Sequence, residues 1–390
     1  MKRKIAFIST DWNDNEYRRL TSNYGGVSYY RLVKPMELLK DEYDVKFYGS
    51  NIQKVSKGLS NDAFYDWLTQ EYDMIIVKQI DNATSAQALI HWSNKNGCIL
   101  VQDFDDNMLA VREDQPAHKM GYNIGGNRRA YAGAMMSLAD ALIVSTVPIK
   151  DYFGNFIKEM FGEDKDIYVF PNYNDIRDWK YKQPKKDKDK VVIGWAGSVT
   201  HDADLGLVMP VLGKILDKHD NVHLELVGGI MQGALAFLTK DWTDKAKSKL
   251  KVKGGVPAWD KYPKLIMEQS WDIGIAPLID DEFNRGKSHI KWTEYAMAKL
   301  PTIASNVYPY FMPIATNKAI VPGETGILAD SDTEWEQALE KLIASKEERE
   351  RLGNNAYEYV SSNLQWKDHA EAYKNIVSSI FDAYSKNKVR

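Results

Sequence analysis

The densest set of reactive side chains is Asp281-Glu282-Phe283-Asn284-Arg285-Gly286-Lys287-Ser288-His289-Ile290-Lys291-Trp292-Thr293-Glu294-Tyr295-Ala296. It follows an apolar run, Ile273–Pro277, that reads as a strand, and it opens a predicted helix running to about Lys299. Gly286 relieves the turn, and Lys287 and Ser288 are expected in the first helical turn. Unpaired backbone N–H groups and the positive end of the helix dipole make that turn a site for an anion. Lys287, Lys291 and Glu294 then stand at i, i+4 and i+7, so one face presents two ammonium groups and a carboxylate. Lysines suit a diphosphate, and a carboxylate suits the two hydroxyls of a ribose. A solvated helix face with ordinary ion pairs has the same composition, but a lysine in the first turn opposes the dipole, so structure alone would not select Lys287 there.

A second cluster ends the run Ile99–Gln102: Asp103-Phe104-Asp105-Asp106. Like charges oppose one another's ionisation, so three carboxylates crowded at a strand end invite explanation. Asp105 is the candidate base or hydrogen-bond acceptor for a hydroxyl substrate. A divalent metal on oxygen ligands and an exposed acidic loop capped by Asp106 are the competing readings. Gly25-Gly26, ahead of a helix at Tyr30–Leu39, would let the backbone approach a ligand, as Gly228-Gly229 would more weakly. Gly-x-Gly-x-x-Gly is not satisfied at the latter, which counts against a dinucleotide dehydrogenase. Trp195, Trp259, Trp292, Tyr308 and Tyr310 lie near strand ends, where each is core, rim or a stacking surface for a base or sugar.

The elements that must position these groups alternate as βα units. Strands are predicted at Lys4–Ser9, Asp44–Tyr48, Met74–Lys78, Ile99–Gln102, Ala141–Ser145 and Ile167–Phe170. A second series follows at Val191–Trp195, His223–Val227, Leu250–Lys253, Ile273–Pro277, Thr302–Ser305 and Ala319–Val321. Between the series, Lys180 to Lys190 is polar, strandless and mixes lysine with aspartate, a linker. The expected fold is α/β: two Rossmann-like doubly wound domains facing each other across a cleft. They comprise residues 1–178 and 191–365, joined at 179–190, with an amphipathic terminal helix within 366–390 able to pack back on the first. Ligands of open α/β sheets bind beyond the strands' C-terminal ends, where both clusters fall.

Composition bounds the rest. The 390 residues suffice for two cores, and 44% apolar with 27% charged residues is globular. The 51 basic and 54 acidic side chains give a formal charge of −3, so broad neutralisation of nucleic-acid phosphates finds no support. Cys98, the one cysteine, lies in an apolar run; no intramolecular disulfide or cysteine-based zinc site can form. The apolar stretch after Met1-Lys2-Arg3-Lys4 is too short for an export signal, and no run reaches the roughly 18 apolar residues of a membrane span. A cytoplasmic location is expected.

Glu294-Tyr295-Ala296-Met297-Ala298-Lys299-Leu300-Pro301-Thr302-Ile303-Ala304-Ser305 resembles the hallmark of the retaining GT-B glycosyltransferases: a glutamate heading a helix, then small residues, a proline and a short strand. The resemblance runs through most of the chain in order. It includes Gly25-Gly26-Val27, Val144-Ser145-Thr146, Phe170-Pro171-Asn172, Gly194-Trp195-Ala196-Gly197-Ser198 and Gly323-Glu324-Thr325-Gly326-Ile327-Leu328. It implies that Glu294 holds the nucleotide ribose and that Ser288 with its backbone meets the diphosphate. Gly25, Gly26, Gly197 and Ser198 would line the donor site. Two departures stand out: the family's second glutamate is Gly286 here, and its arginine–lysine pair after the glycine turn is replaced by Ser198-Val199-Thr200-His201-Asp202. The leaving diphosphate would then take its positive charge from Lys287 and Lys291, with Arg285 nearby.

The implied activity is transfer of a sugar from a nucleoside-diphosphate sugar, with uridine the expected base, to an acceptor hydroxyl with retention. The donor is a co-substrate, and no cofactor or metal is expected. The acceptor is open between a glycan, a small molecule and a modified DNA base; His118 is a candidate sugar contact. Three other activities fit the same residues: a sugar-nucleotide epimerase, a DNA-base glycosyltransferase, and a binding protein that has lost turnover.

Overall fold

The computed structural model describes residues 2–9, 25–49, 59–80, 83–230, 233–255 and 259–385. Two parallel six-stranded sheets organise the chain. The first contains β1 (Lys4–Ile8), β2 (Asp44–Tyr48), β3 (Met74–Lys78), β4 (Ile99–Phe104), β5 (Ala141–Val144) and β6 (Ile167–Val169), in the order β2-β1-β3-β4-β5-β6. The second contains β7 (Val191–Gly197), β8 (Val222–Gly228), β9 (Leu250–Lys253), β10 (Ile273–Ala276), β11 (Thr302–Ser305) and β12 (Ile327–Ala329), in the order β12-β11-β10-β7-β8-β9. Central strands such as Met-Ile-Ile-Val in β3 are apolar on both faces because helices cover both; β9, Leu-Lys-Val-Lys, alternates because it is an edge. Residues 180–190 between the sheets contain neither helix nor strand.

Eleven of the twelve strand expectations coincide with observed strands to within two residues. The exception is Ala319–Val321. That run stops at Pro322-Gly323, where φ at Gly323 is +77° and a bridge from Pro322 to Gly326 closes a turn. The place beside β11 goes to Ile327–Ala329 instead.

The chain reverses direction in the sheet between β1 and β3 in the first lobe, and between β7 and β10 in the second. Side chains beyond the carboxyl ends of these four strands therefore line the crevices where ligands of such sheets bind. Close packing fixes the second crevice. Gly194 in β7 lies flat against the buried Trp271 indole, and a Cβ there would stand within the ring. Gly194→Ala should cost about 1–3 kcal/mol through overpacking, read as a fall in thermal midpoint. An unchanged midpoint would mean the two groups are not in contact. At the open end of the same strands, Gly228 has φ +128° and its Cα faces the Gly197 carbonyl, so β7 and β8 approach more closely than side chains would permit.

The last helix, Ala370–Tyr384, returns to the first lobe. It buries Tyr373, Val377, Ile380 and Phe381, one stripe at helical spacing. Phe381 stacks on Tyr43 at 5.7 Å, the Arg3 guanidinium covers its ring at 4.4 Å, and Tyr384 donates to Asp166 at 3.0 Å. Where the chain crosses back, the two crossing segments bond to each other: Asn174 N–H to the Leu364 carbonyl (3.2 Å), Trp366 N–H to the Asn174 carbonyl (2.9 Å), and Ile176 N–H to the Gln365 side chain (2.8 Å).

Candidate functional site

Beyond β10 the chain forms a short helix, Glu282–Arg285, before the longer helix Ile290–Met297 begins. Asp281 caps the first by accepting from Asn284 N–H at 2.8 Å, and Gly286 follows its end. The expectation that Lys287 and Ser288 occupy the first turn of the longer helix is thereby corrected. Both precede it, because a capped turn of helix intervenes, so Lys287 does not oppose the dipole of the longer helix from within its first turn.

Lys287 instead reaches across the cleft to Asp106 of the first lobe at 3.1 Å. Lys291 and Glu294 do share a helix face and point inward. Lys291 Nζ donates to the Ala196 carbonyl at the end of β7 and lies 5.3 Å from the Trp195 ring. Tyr295 holds the same residue from its other side, its hydroxyl accepting from Ala196 N–H at 2.9 Å. Burial lowers the Lys291 ammonium pKa, and Lys287 adds to this by repulsion while Glu294 opposes it.

Glu294 is buried, and each carboxylate oxygen accepts from one phenol: Tyr30 of the first lobe at 2.9 Å and Tyr262 of the second at 3.0 Å. Burial raises its carboxyl pKa, against the pull of Lys291 and the two hydroxyls. Two hydroxyl donors, one per oxygen, is also the pattern that a ribose diol would present.

The first lobe contributes through a widened, π-type turn, Tyr29–Val33, within helical residues 26–39. Such turns gather at functional sites. Here it carries Tyr30 toward Glu294 and Arg31 into the core. Arg31 pairs with Asp103 through two bonds of 2.7 and 2.9 Å, both groups fully buried, and also donates to the Phe170 carbonyl and to Asn172 Oδ1 (3.0 Å). With its oxygen so engaged, Asn172 presents Nδ2 to Asp105 at 2.8 Å and to Ser288 Oγ at 3.1 Å. Burial and the neighbouring Asp106 raise the Asp105 carboxyl pKa. The three carboxylates of the acidic loop thus turn to three different partners: Arg31, Asn172 and Lys287. Among the described residues no group of three or more His, Cys, Asp or Glu side chains is placed to hold a metal ion.

The remaining candidates sit at the margin of this centre. Gly25 accepts from Tyr29 N–H at 3.0 Å, and Gly26 faces Trp259, whose ring stacks on Tyr29 at 4.3 Å. Gly197 ends β7, accepting from Gly229 N–H at 3.1 Å, and Ser198 shares a hydrogen bond with Thr200 at 2.8 Å. Arg285 turns outward to Asp280 at 2.7 Å with its side chain 49% exposed, apart from Lys291 and Glu294. His118 begins the short turn His118–Tyr122.

Several contributors escaped the sequence reading. Tyr30 and Tyr262 carried only the signal of phenols near strand and helix ends. Arg31, a charge inside Tyr29-Tyr30-Arg31-Leu32-Val33, was the better clue, since a charge on an apolar face needs a buried partner. Arg112 of the first lobe bonds Asp281 at 2.8 Å and lies 3.5 Å from Asp204, which holds His201 at 2.9 Å. His289 is buried with Nε2 unpartnered, and burial pushes its pKa down to about 3.

Residues 175–359 match the model of the family described as glycosyl transferases group 1. No curated protein matches the chain in sequence. HepE of Anabaena in complex with UDP and glucose superposes with a TM-score of 0.64 at 15% identity, covering 97% of this chain and 100% of that one. The E. coli trehalose-6-phosphate protein bound with UDP-2-fluoro glucose gives 0.60 at 10% identity, over 97% and 98%. S. aureus TarM, in a complex that includes UDP, gives 0.57 at 13%, over 83% of this chain and 59% of that one. At these identities the likeness is one of fold. Among the described residues no helix is long and apolar enough to cross a membrane.

Proposed function

We propose that this chain, a glycosyltransferase of the two-lobed GT-B fold whose residues 175–359 match the model of the glycosyl transferases group 1 family, moves a sugar from a UDP-sugar to an acceptor hydroxyl with retention at the anomeric carbon. The observation that carries this reading is the meeting of Glu294 and Ser288 with Tyr30 and Asn172 of the first lobe, and of Lys291 with the end of β7, beyond the strand ends where each sheet reverses. Uridine is the base we favour because the three structures named above are complexes with UDP or a UDP-sugar.

In this scheme the ribose hydroxyls replace the Tyr30 and Tyr262 phenols on Glu294, and Ser288 and Lys291 take the diphosphate. Breaking the sugar–phosphate bond leaves an oxocarbenium-like centre and a growing negative charge on the phosphate. Cations placed in advance stabilise that charge as it develops. We assign Lys291 and Lys287 to this task, and Asp105 to orienting the acceptor hydroxyl. The departing phosphate takes the acceptor's proton during attack on the same face. In this scheme the lobes part to admit the donor, and their return excludes the water that would hydrolyse it. The single buried cysteine fits work in the cytoplasm.

A thermal-shift titration tests the donor assignment. UDP at about 100 times its Kd should stabilise the chain by about 2.7 kcal/mol, and Glu294→Ala should lose most of that rise while still folding. An equal rise in the variant would remove Glu294 from the ribose.

A further inference from the structure

After β7 the chain makes the short turn Val199–His201, which brings His201 to one side of the Trp195 indole, ring to ring at 6.4 Å and near edge-to-face. Lys291 Nζ lies 5.3 Å from the same indole. His201 Nδ1 meets Asp204 Oδ2 at 2.9 Å. Asp204 is fully buried, and its other oxygen accepts from Ile279 N–H at 3.0 Å and Asn284 Nδ2 at 2.8 Å, with the Arg112 guanidinium at 3.5 Å. These donors hold the Asp204 carboxyl pKa below the usual carboxylate range. An ionised Asp204 can only accept, so His201 Nδ1 carries the hydrogen. In the neutral ring Nε2 then carries the lone pair that can take up a proton.

We infer that the His201–Asp204 pair is a further catalytic element of this cleft: His201 Nε2 takes up a proton from solvent as the nucleoside diphosphate binds and donates it in a hydrogen bond to the diphosphate oxygens beside Lys291. The inference rests on the donor assignment above. Asp204 is the positioning residue; it stays ionised and fixes which nitrogen faces the ligand. The proton returns to solvent when the nucleoside diphosphate leaves, so the cycle balances.

The groups around His201 determine when it charges. Asp204 favours the imidazolium, with Arg112 and Asp281 behind it; Lys287 and Lys291 oppose it, and burial opposes it more. Asp202 adjoins it along the chain. Among these groups burial pushes the pKa down to about 4, so the ring is neutral near pH 7. A diphosphate brings negative charge to the two lysines, removing their repulsion and adding attraction, which reverses the balance. A permanent third cation would carry its repulsion whether or not an anion is bound. A histidine supplies the charge only when the anion is present.

Calorimetric titration of UDP into the full chain at pH 7, in buffers of different ionisation enthalpy, counts the protons exchanged. His201→Asn keeps an amide donor where Nδ1 meets Asp204 but removes Nε2; His201→Gln places a non-titrating amide near the Nε2 position. The native chain should take up more protons than either variant, by up to about one, since UDP's own ionisation is common to all three. Donor turnover should fall by about a hundredfold in His201→Asn, the scale of a lost charge-stabilising donor, and less in His201→Gln. Equal proton counts in the native chain and both variants would overturn the role of His201 and leave the donor assignment standing. No binding of UDP to the native chain would overturn both.

Discussion

Lys291→Met should lower turnover by about two to three orders of magnitude, the range seen when a group that stabilises developing charge is removed, while the chain remains folded. Among the described residues the ammonium donates to the Ala196 carbonyl and lies over the Trp195 face, and burial already disfavours its charge. Methionine fills a similar length without that penalty, so the fold loses little. The pH dependence has a definite sign. A lowered lysine pKa means that positive charge is lost as pH rises through a value below the ordinary lysine range. The alkaline fall in kcat/KM should therefore begin early in the parent, and Lys291→Met should lack that limb. Steady-state rates against pH, with thermal midpoints for both proteins, measure all of this. Equal turnover in the two would dismiss Lys291 from the reaction.

Arg31→Met should produce the largest loss of stability. Arg31 and Asp103 are a fully buried pair, and removing one partner leaves the other's charge uncompensated, at about 3–5 kcal/mol. Asp103 is already raised to about 6 by burial despite the guanidinium beside it. Without Arg31 it moves further up, so the folded variant holds a proton over a wider range than the unfolded chain does. Stability from that proton is present at low pH and lost as pH rises. The gap in thermal midpoint between variant and parent should accordingly be wider at pH 8 than at pH 5. A gap independent of pH would mean that lost packing, not an orphaned carboxylate, sets the cost. The same change frees the Asn172 amide to turn, so Asp105 and Ser288 lose their shared donor.

The two sheets were legible because their strands are short apolar runs that alternate with helical spacing, a pattern set by local chemistry. The mistaken strand at Ala319–Val321 shows the limit: that run and Ile327–Ala329 are equally apolar, and which one joins β11 depends on a turn closed by Pro322 and Gly326. The Lys291–Glu294 face was readable because both residues lie on one helix. Lys287 and Ser288 were misplaced by a single turn, because the Asp281 cap that starts a separate helix looks, in sequence, like part of the longer one. Contacts made across the cleft left no periodic trace. Tyr30 with Glu294, and Asn172 with Ser288, join residues 264 and 116 positions apart, and only the meeting of the lobes creates them.

The bonds joining residues 174–176 to residues 364–366 have a mechanical consequence. The polypeptide passes between the lobes twice, and these contacts bind the two passages into one strut. A body fastened to its neighbour along one narrow strut can swing about it but resists sliding past it. Each swing should then return Glu294 and Tyr30 to the same alignment, so the cleft has a preset closing stroke.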